Sequence, residues 1–201
     1  MWFQPQSNYI RRAWEAIKRA DFVPKGQRDQ ADLDQPLPIG LGQTISQPSV
    51  VAFMLELLNP QPGGRYLDIG SGSGWTTALL AQIAGKDGHV WAIEIIPELK
   101  DWGQNNVRHY GFEDQGIVEF IRADGSLGYA KEAPFDGILV SASADQYPIV
   151  LQDQLKIGGR LVIPVGNQIW QVTRKSEKDF QKEVFPDFVF VPLRSSDESK
   201  S

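Results

Sequence analysis

The residues of this chain best suited to chemistry gather around one short run, Asp68-Ile69-Gly70-Ser71-Gly72-Ser73-Gly74. Glycine at every second position lets the backbone turn sharply and lets a ligand approach it closely. The spacing, G-x-G-x-G, departs from the G-x-G-x-x-G fingerprint of dinucleotide sites. Asp68, two residues ahead of the first glycine, would repel a pyrophosphate but suits a cationic ligand. A glycine-rich turn can also be nothing more than a tight connection. Glu94 stands near the end of the next apolar run. A carboxylate there can accept hydrogen bonds from both hydroxyls of a ribose, or can be a solvated strand-end residue. Asp124-Gly125 follows a third run. Its side chain can accept from an adenine amino group or simply close an Asx turn. Far upstream, Thr44-Ile45-Ser46-Gln47-Pro48 sets hydroxyls beside a helix start, a ready place for an anion. Ser46 is either part of such a site or the helix N-cap, and the two roles are compatible.

These groups can meet only if the elements between them carry them to one place. Ile10, Ala13, Trp14 and Ile17 recur at helical spacing and predict an amphipathic helix, with Ser7 or Asn8 as its cap. From Ala20 to Gln47 there is no period, only Pro, Gly, Asp and Gln. The stretch reads as an irregular segment, long enough to be functional. A helix is expected over Pro48–Leu58, stopped by Asn59-Pro60. Short apolar runs then alternate with helical ones. Strands are expected at Arg65–Ile69, Val90–Ile95, Gly116–Arg122, Phe135–Val140 and Arg160–Pro164. Helices are expected at Trp75–Ala84, Pro97–Tyr110 and Pro148–Leu155, with Gly111 at a C′ position and Gly158-Gly159 as a stop. Ile169–Arg174 and Val184–Val191 read as a closing pair of strands. Such alternation means an α/β fold, a doubly wound and mostly parallel sheet with helices on both faces. Its ligands belong at the C-terminal ends of the strands, which is where the glycine-rich run, Glu94 and Asp124 fall.

Composition narrows the function. The 201 residues suit one domain or one domain with a small appendage, and 41% hydrophobic residues suffice for a core. A net charge of -5 argues against a nucleic-acid partner, whose phosphates need clustered Lys and Arg. With no cysteine there is no disulfide, thiolate metal site or Cys nucleophile, and no metal is expected. No apolar run approaches the ~20 residues of a membrane helix, and Met1–Pro5 lacks the character of a signal peptide. The expectation is a cytoplasmic protein, working as a monomer away from membranes and nucleic acids. Ser195–Ser201 are small and polar and are expected to fray.

From about Gln61 to Leu193 the three acidic and glycine-bearing strand ends together resemble class I S-adenosylmethionine methyltransferases. The resemblance implies a seven-stranded sheet closed by an antiparallel hairpin. It implies that Asp68 and Gly70 face the methionine part of the cofactor, Glu94 the ribose and Asp124 the adenine. Ser71, Gly72, Ser73, Gly74 and Gly125 complete that site, and S-adenosyl-L-homocysteine is the product. The acceptor then needs a lone pair held in line with the methyl group. Ser141-Ala142-Ser143-Ala144-Asp145 stands where amino-methylating enzymes of nucleobases carry an Asn/Asp-Pro-Pro-aromatic run. The two histidines, His89 in a turn and His109 at a helix C-terminus, suit structural or surface roles. A carboxylate acceptor needs no base, because its pKa of ~4 leaves it ionised at neutral pH.

Arg19-Ala20-Asp21-Phe22-Val23-Pro24 and Pro36–Pro48 are similar to the signature of protein-L-isoaspartate O-methyltransferases. The likeness continues through Asp124–Gly128, Pro134–Val140, Gly158–Gly166 and Phe190–Leu193. Gly42–Pro48 is its most specific part. Ala123, Ser141 and Ser143 depart from the family's usual Gly and Thr-Ala-Ala. The resemblance implies a repair enzyme that esterifies the α-carboxylate of L-isoaspartyl residues in damaged proteins and peptides; the ester then closes to a succinimide unaided. It makes Ser46 the active-site residue and Thr44, Ile45, Ser46 and Gln47 the substrate-binding segment. The chain is thereby divided into a helical, substrate-binding extension (1–60), a cofactor-binding core (61–193) and a flexible tail (194–201). Another carboxyl or small-molecule O-methyltransferase, and a non-catalytic homologue, are the alternatives on the same scaffold.

Overall fold

The structure is a computed structural model that describes residues 6–194. The frayed tail expected from Ser195 and residues Met1–Pro5, expected to lack signal-peptide character, lie outside the described residues. The first helix, α1 (Asn8–Ala16), buries Ile10 and Ala13 completely, and Trp14 meets Trp75 edge-on at 5.0 Å. Each large side chain so buried contributes about 1.5–3 kcal/mol, which fastens the N-terminal segment to the core behind it. The stretch from Ala20 to Gln47 is not irregular throughout. It contains 3-10 turns at Arg19–Phe22 and Lys25–Gln30, then an antiparallel hairpin of β1 (Leu37–Gly40) and β2 (Gln43–Ile45). Pro38 and the glycines hide this hairpin from a reading by propensity. Its tip bends through positive φ at Gly40, Leu41 and Gly42.

After α2 (Pro48–Leu58) come β3 (Arg65–Ile69), α3 (Trp75–Ala84), β4 (His89–Glu94), α4 (Pro97–Arg108), β5 (Val118–Arg122), β6 (Phe135–Val140), α5 (Ile149–Asp153), β7 (Leu155–Val165), β8 (Gln168–Arg174) and β9 (Phe180–Pro186). The last seven strands form one sheet in the order β5-β4-β3-β6-β7-β8-β9. It is parallel from β5 through β7 and antiparallel for β8 and β9. The expected mostly parallel, seven-stranded α/β sheet with a closing hairpin is present.

Three details differ. The expected helix Pro148–Leu155 is only α5, because β7 begins at Leu155 and runs through Gly158-Gly159 instead of stopping there. A register shift against β6 and the positive φ of Gly158 (+87°) absorb the extra residues. The final strand is Phe180–Pro186, since Phe190–Leu193 instead runs back to pair with Ser143. His89 is the first residue of β4 rather than part of a turn.

Side chains alternate across the sheet. Tyr66, Val90, Ala92 and Leu139 face α2, α3 and α4, while Leu67, Ile69, Ile93 and Ile138 face the side of α5. The chain leaves β3 toward β4 and β5, then returns on the other side of β3 to form β6. Between the C-terminal ends of β3 and β6 lies the switch point where such sheets bind ligands.

Candidate active site

The loop after β3 passes through positive φ at Gly70 (+74°), Gly72 (+52°) and Gly74 (+86°). Four of its amides are already engaged. Gly70 and Ser71 donate to the Ile93 carbonyl at 2.9 and 3.1 Å, Gly74 donates to Ser71, and Gly72 donates to Glu94 Oε2 at 2.9 Å. A loop that spends these donors internally is not a cradle for phosphate, which needs them free. Glu94 is 6% exposed, and its Oε1 accepts from the Ile96 amide at 3.0 Å. One carboxylate thus locks two loops, and each oxygen keeps acceptor capacity for a ligand hydroxyl. A cavity opens over these groups, lined by Ile69, Gly70, Gly72, Glu94, Leu99 and Gly125 and roofed by Val191–Arg194. Gly125 has no room for a side chain, since a Cβ there would overlap Ile69.

Two acidic residues sit differently from expectation. Asp68 does not line the cavity. Strand alternation turns it toward α3, where it is fully buried and its Oδ2 accepts from Thr76 Oγ1 at 2.8 Å and Thr77 Oγ1 at 2.6 Å. Its Oδ1 and the Ser71 hydroxyl are buried without a hydrogen-bond partner. Burial pushes the Asp68 carboxyl up to about 6, against the two threonine hydroxyls, and Glu94 adds to the rise. Asp124 closes a turn: its Oδ1 accepts from the amide (2.9 Å) and hydroxyl (2.6 Å) of Ser126. The cavity is lined there by Gly125 rather than Asp124. Gly74, at the start of α3, packs against Gly103.

The acceptor side adjoins this cavity. A smaller cavity lies between Ile45-Ser46 and Gly70–Ser73. A groove of about 440 Å³ runs outward past Ser46, Gln47 and Val50 beneath Phe188–Val191. Thr44 and Ser141 line all three, so the three spaces meet at these two residues. Ser46 is not the N-cap of α2; that position is Gln47. The helix start is capped from outside by Asp34, which accepts from the Ser49 amide at 2.8 Å and from Gln47 Nε2 at 3.0 Å. Asp34 therefore already occupies the anion site expected at the α2 N-terminus, and Ser46 and Thr44 remain as hydroxyl-bearing residues that line the cavities.

A family model described as protein-L-isoaspartate(D-aspartate) O-methyltransferase matches residues 4–198. The chain belongs to this family. A protein-L-isoaspartate O-methyltransferase of Methanopyrus kandleri is 43% identical over 192 residues, covering 94% of this chain and 84% of that protein. One from Marinobacter nauticus is 44% identical, covering 92% and 84%. Among solved structures, a putative family member from Plasmodium falciparum in complex with S-adenosyl-L-homocysteine superposes with a TM-score of 0.82 at 26% identity, covering 94% of this chain and 91% of that one.

Within the family fold, Thr44, Ile45, Ser46, Gln47, Gly70, Ser71, Gly72, Ser73, Glu94 and Gly125 all line the joined cavities. Sequence reasoning misses Ser141 as the junction residue, Thr76 as the link to Asp68, and Val191–Arg194 as the roof. Ser141 carried a signal in its place directly after a buried strand, and Val191–Leu193 in the family likeness of Phe190–Leu193; Thr76 carried none. Among the described residues no group of His, Cys, Asp and Glu is placed to hold a metal ion.

Proposed function

We propose that this protein transfers the methyl group of S-adenosyl-L-methionine to the α-carboxylate of L-isoaspartyl residues in damaged proteins, the first step of their repair. The carrying observation is the junction at Thr44 and Ser141, where a hydroxyl-bearing groove meets a cavity lined by Glu94 and Gly125, with no histidine, lysine or tyrosine in its walls. Chemistry at that point suits an acceptor that arrives ionised.

The residues fit the cofactor. Glu94 is held by two amides with acceptor capacity left for ribose hydroxyls. The missing Cβ of Gly125 and the side chains of Ile69, Ile93 and Leu99 make a flat apolar slot for a purine. The buried Asp68 favours a cation nearby, and the unpartnered Ser71 hydroxyl offers a polar contact. When bound, the cofactor supplies an electrophilic methyl on a sulfonium. The Ser46 and Thr44 hydroxyls hold the acceptor carboxylate and fix its lone pair in line, which supplies orientation rather than proton transfer. Val191–Arg194 exclude water from above, tied by Ser143 N to Val191 O (2.8 Å) and by Leu193 N to Ser143 O (2.7 Å). The methyl ester leaves the site, and the neighbouring backbone amide nitrogen then attacks its carbonyl, expelling methanol and closing the succinimide without further help.

The reading includes a monomer. It also places the protein in the cytoplasm, in keeping with a cysteine-free chain, and among the described residues no helix is long and apolar enough to cross a membrane. Labelled-methyl transfer to an isoaspartyl peptide and to its normal aspartyl twin tests the assignment. Label should pass to the first and stay at background on the second. Equal labelling, or none, would remove the isoaspartyl assignment.

A further inference from the structure

Arg19 is 6% exposed, and none of the chemistry above uses it. From the turn Arg19–Phe22 its guanidinium reaches backbone carbonyls of two separate segments. Nη1 donates to Ala31 O at 2.8 Å and Leu33 O at 3.4 Å, while Nη2 donates to Gln35 O at 2.9 Å and Ser46 O at 3.1 Å. The group also lies 5.4 Å from the centroid of the Trp75 ring, and Trp75 lines the same cavity as Ser46. Burial lowers the guanidinium to about 10, with Asp34 and Asp32 opposing, so it stays charged at neutral pH. Asp34 grips the same region from the other side through Gln47 and Ser49.

If the only need were to pin loops to a core, an apolar side chain would serve without the desolvation of a cation. What a planar fork adds is direction, since its donors fix several acceptors at set angles. We infer that Arg19 is a positioning residue for the acceptor site: it ties the Ser46 backbone to the 31–35 loop and so sets where the Ser46 hydroxyl points. This rests on the isoaspartyl reading for its kinetic consequence.

Arg19→Lys keeps the charge and most of the stem but replaces the fork with one nitrogen, which cannot span both segments. In the full chain, kcat/KM for an isoaspartyl peptide should fall by about tenfold or more. Affinity for S-adenosyl-L-homocysteine by calorimetry should stay within about twofold, because Arg19 touches no residue of the Glu94 side of the site. Amide hydrogen exchange should quicken at residues 43–49 and not at 70–74. That exchange contrast needs no acceptor, so a wild-type protein inert toward isoaspartyl peptides would defeat the functional reading and still leave Arg19 to be judged. Folded Arg19→Lys with wild-type peptide kinetics and unchanged exchange overturns the inference. So does a parallel loss of peptide turnover and cofactor-product affinity. Arg19→Gln, which keeps two donors and the stem over Trp75, carries the same test if the lysine variant does not fold.

Discussion

Three residues do separable work at the site, and each can be tested alone. A hydrogen bond from a hydroxyl to a carboxylate is worth about 1.5–3 kcal/mol. Ser46→Ala should therefore lower kcat/KM for an isoaspartyl peptide roughly 10- to 100-fold, while calorimetry finds affinity for S-adenosyl-L-homocysteine nearly unchanged. Equal loss of both would take Ser46 out of the acceptor role. Glu94→Ala should weaken that affinity by at least about tenfold, since it removes ribose acceptors and frees the amides of Gly72 and Ile96; unchanged affinity would clear Glu94 from the ribose site. Asp68 predicts a pH dependence. Its carboxyl is raised from 3.8 to about 6, mainly by burial. Ionisation therefore costs the folded, ligand-free protein, and stability should fall as pH rises from about 4 to about 6, by roughly 3 kcal/mol at most, and level off above. A cationic ligand reverses the preference by favouring the ionised form. Affinity for the sulfonium S-adenosyl-L-methionine should thus rise with pH through about 6 and become flat in Asp68→Asn. A wild-type affinity independent of pH across that window would show that Asp68 does not sense the ligand. From sequence alone Asp68 is recognisable as acidic company for a cation. Its burial beneath Thr76 and Thr77 is not, because that depends on which face of β3 meets α3.

The glycine-rich loop depends on the helix beside it. A Cβ on Gly103 of α4 would lie 2.5 Å from the Gly72 carbonyl oxygen and 3.2 Å from the Gly74 amide. Both neighbours are backbone and cannot swing aside. Gly103→Ala should displace the loop, lowering S-adenosyl-L-homocysteine affinity and costing stability of about 1–3 kcal/mol, as overpacking does. Thermal unfolding and calorimetry together check it, and a variant with wild-type values in both would mean that α4 and the loop do not pack as described. Element existence is largely legible in the sequence, because the buried strands β3, β4 and β6 are short, mostly apolar runs between turns. The hairpin β1-β2 is not, since Pro38 and three consecutive positive-φ residues mask it. β9 is placed too late because its own residues are mostly exposed, with Gln181, Lys182 and Glu183 in succession, whereas the apolar Phe188–Leu193 serves the groove and roof instead.

At the scale of the molecule, the topology explains why residues as distant as Ser46, Gly70, Glu94 and Ser141 share one place: the β3/β6 switch point gathers three strand ends, and the N-terminal segment is folded over it. The acidic strand ends and the Gly42–Pro48 signature make that site readable in outline. The outside cap from Asp34 and the clamp of Arg19 are long-range pairings that no local pattern announces. α1, the hairpin and the sheet share one continuous core, so unfolding should be a single transition by fluorescence and circular dichroism, raised by S-adenosyl-L-homocysteine; two separated transitions would mean that the N-terminal segment folds on its own. The central claim is that a hydroxyl-lined groove sets an ionised acid beside the methyl donor without a base. A crystal structure with S-adenosyl-L-homocysteine and an isoaspartyl peptide examines it directly. The isoaspartyl α-carboxylate should accept a hydrogen bond from Ser46 Oγ and face the thioether sulfur at the Thr44–Ser141 junction. A peptide carboxylate bound elsewhere, with Ser46 turned away from the sulfur, would contradict the account.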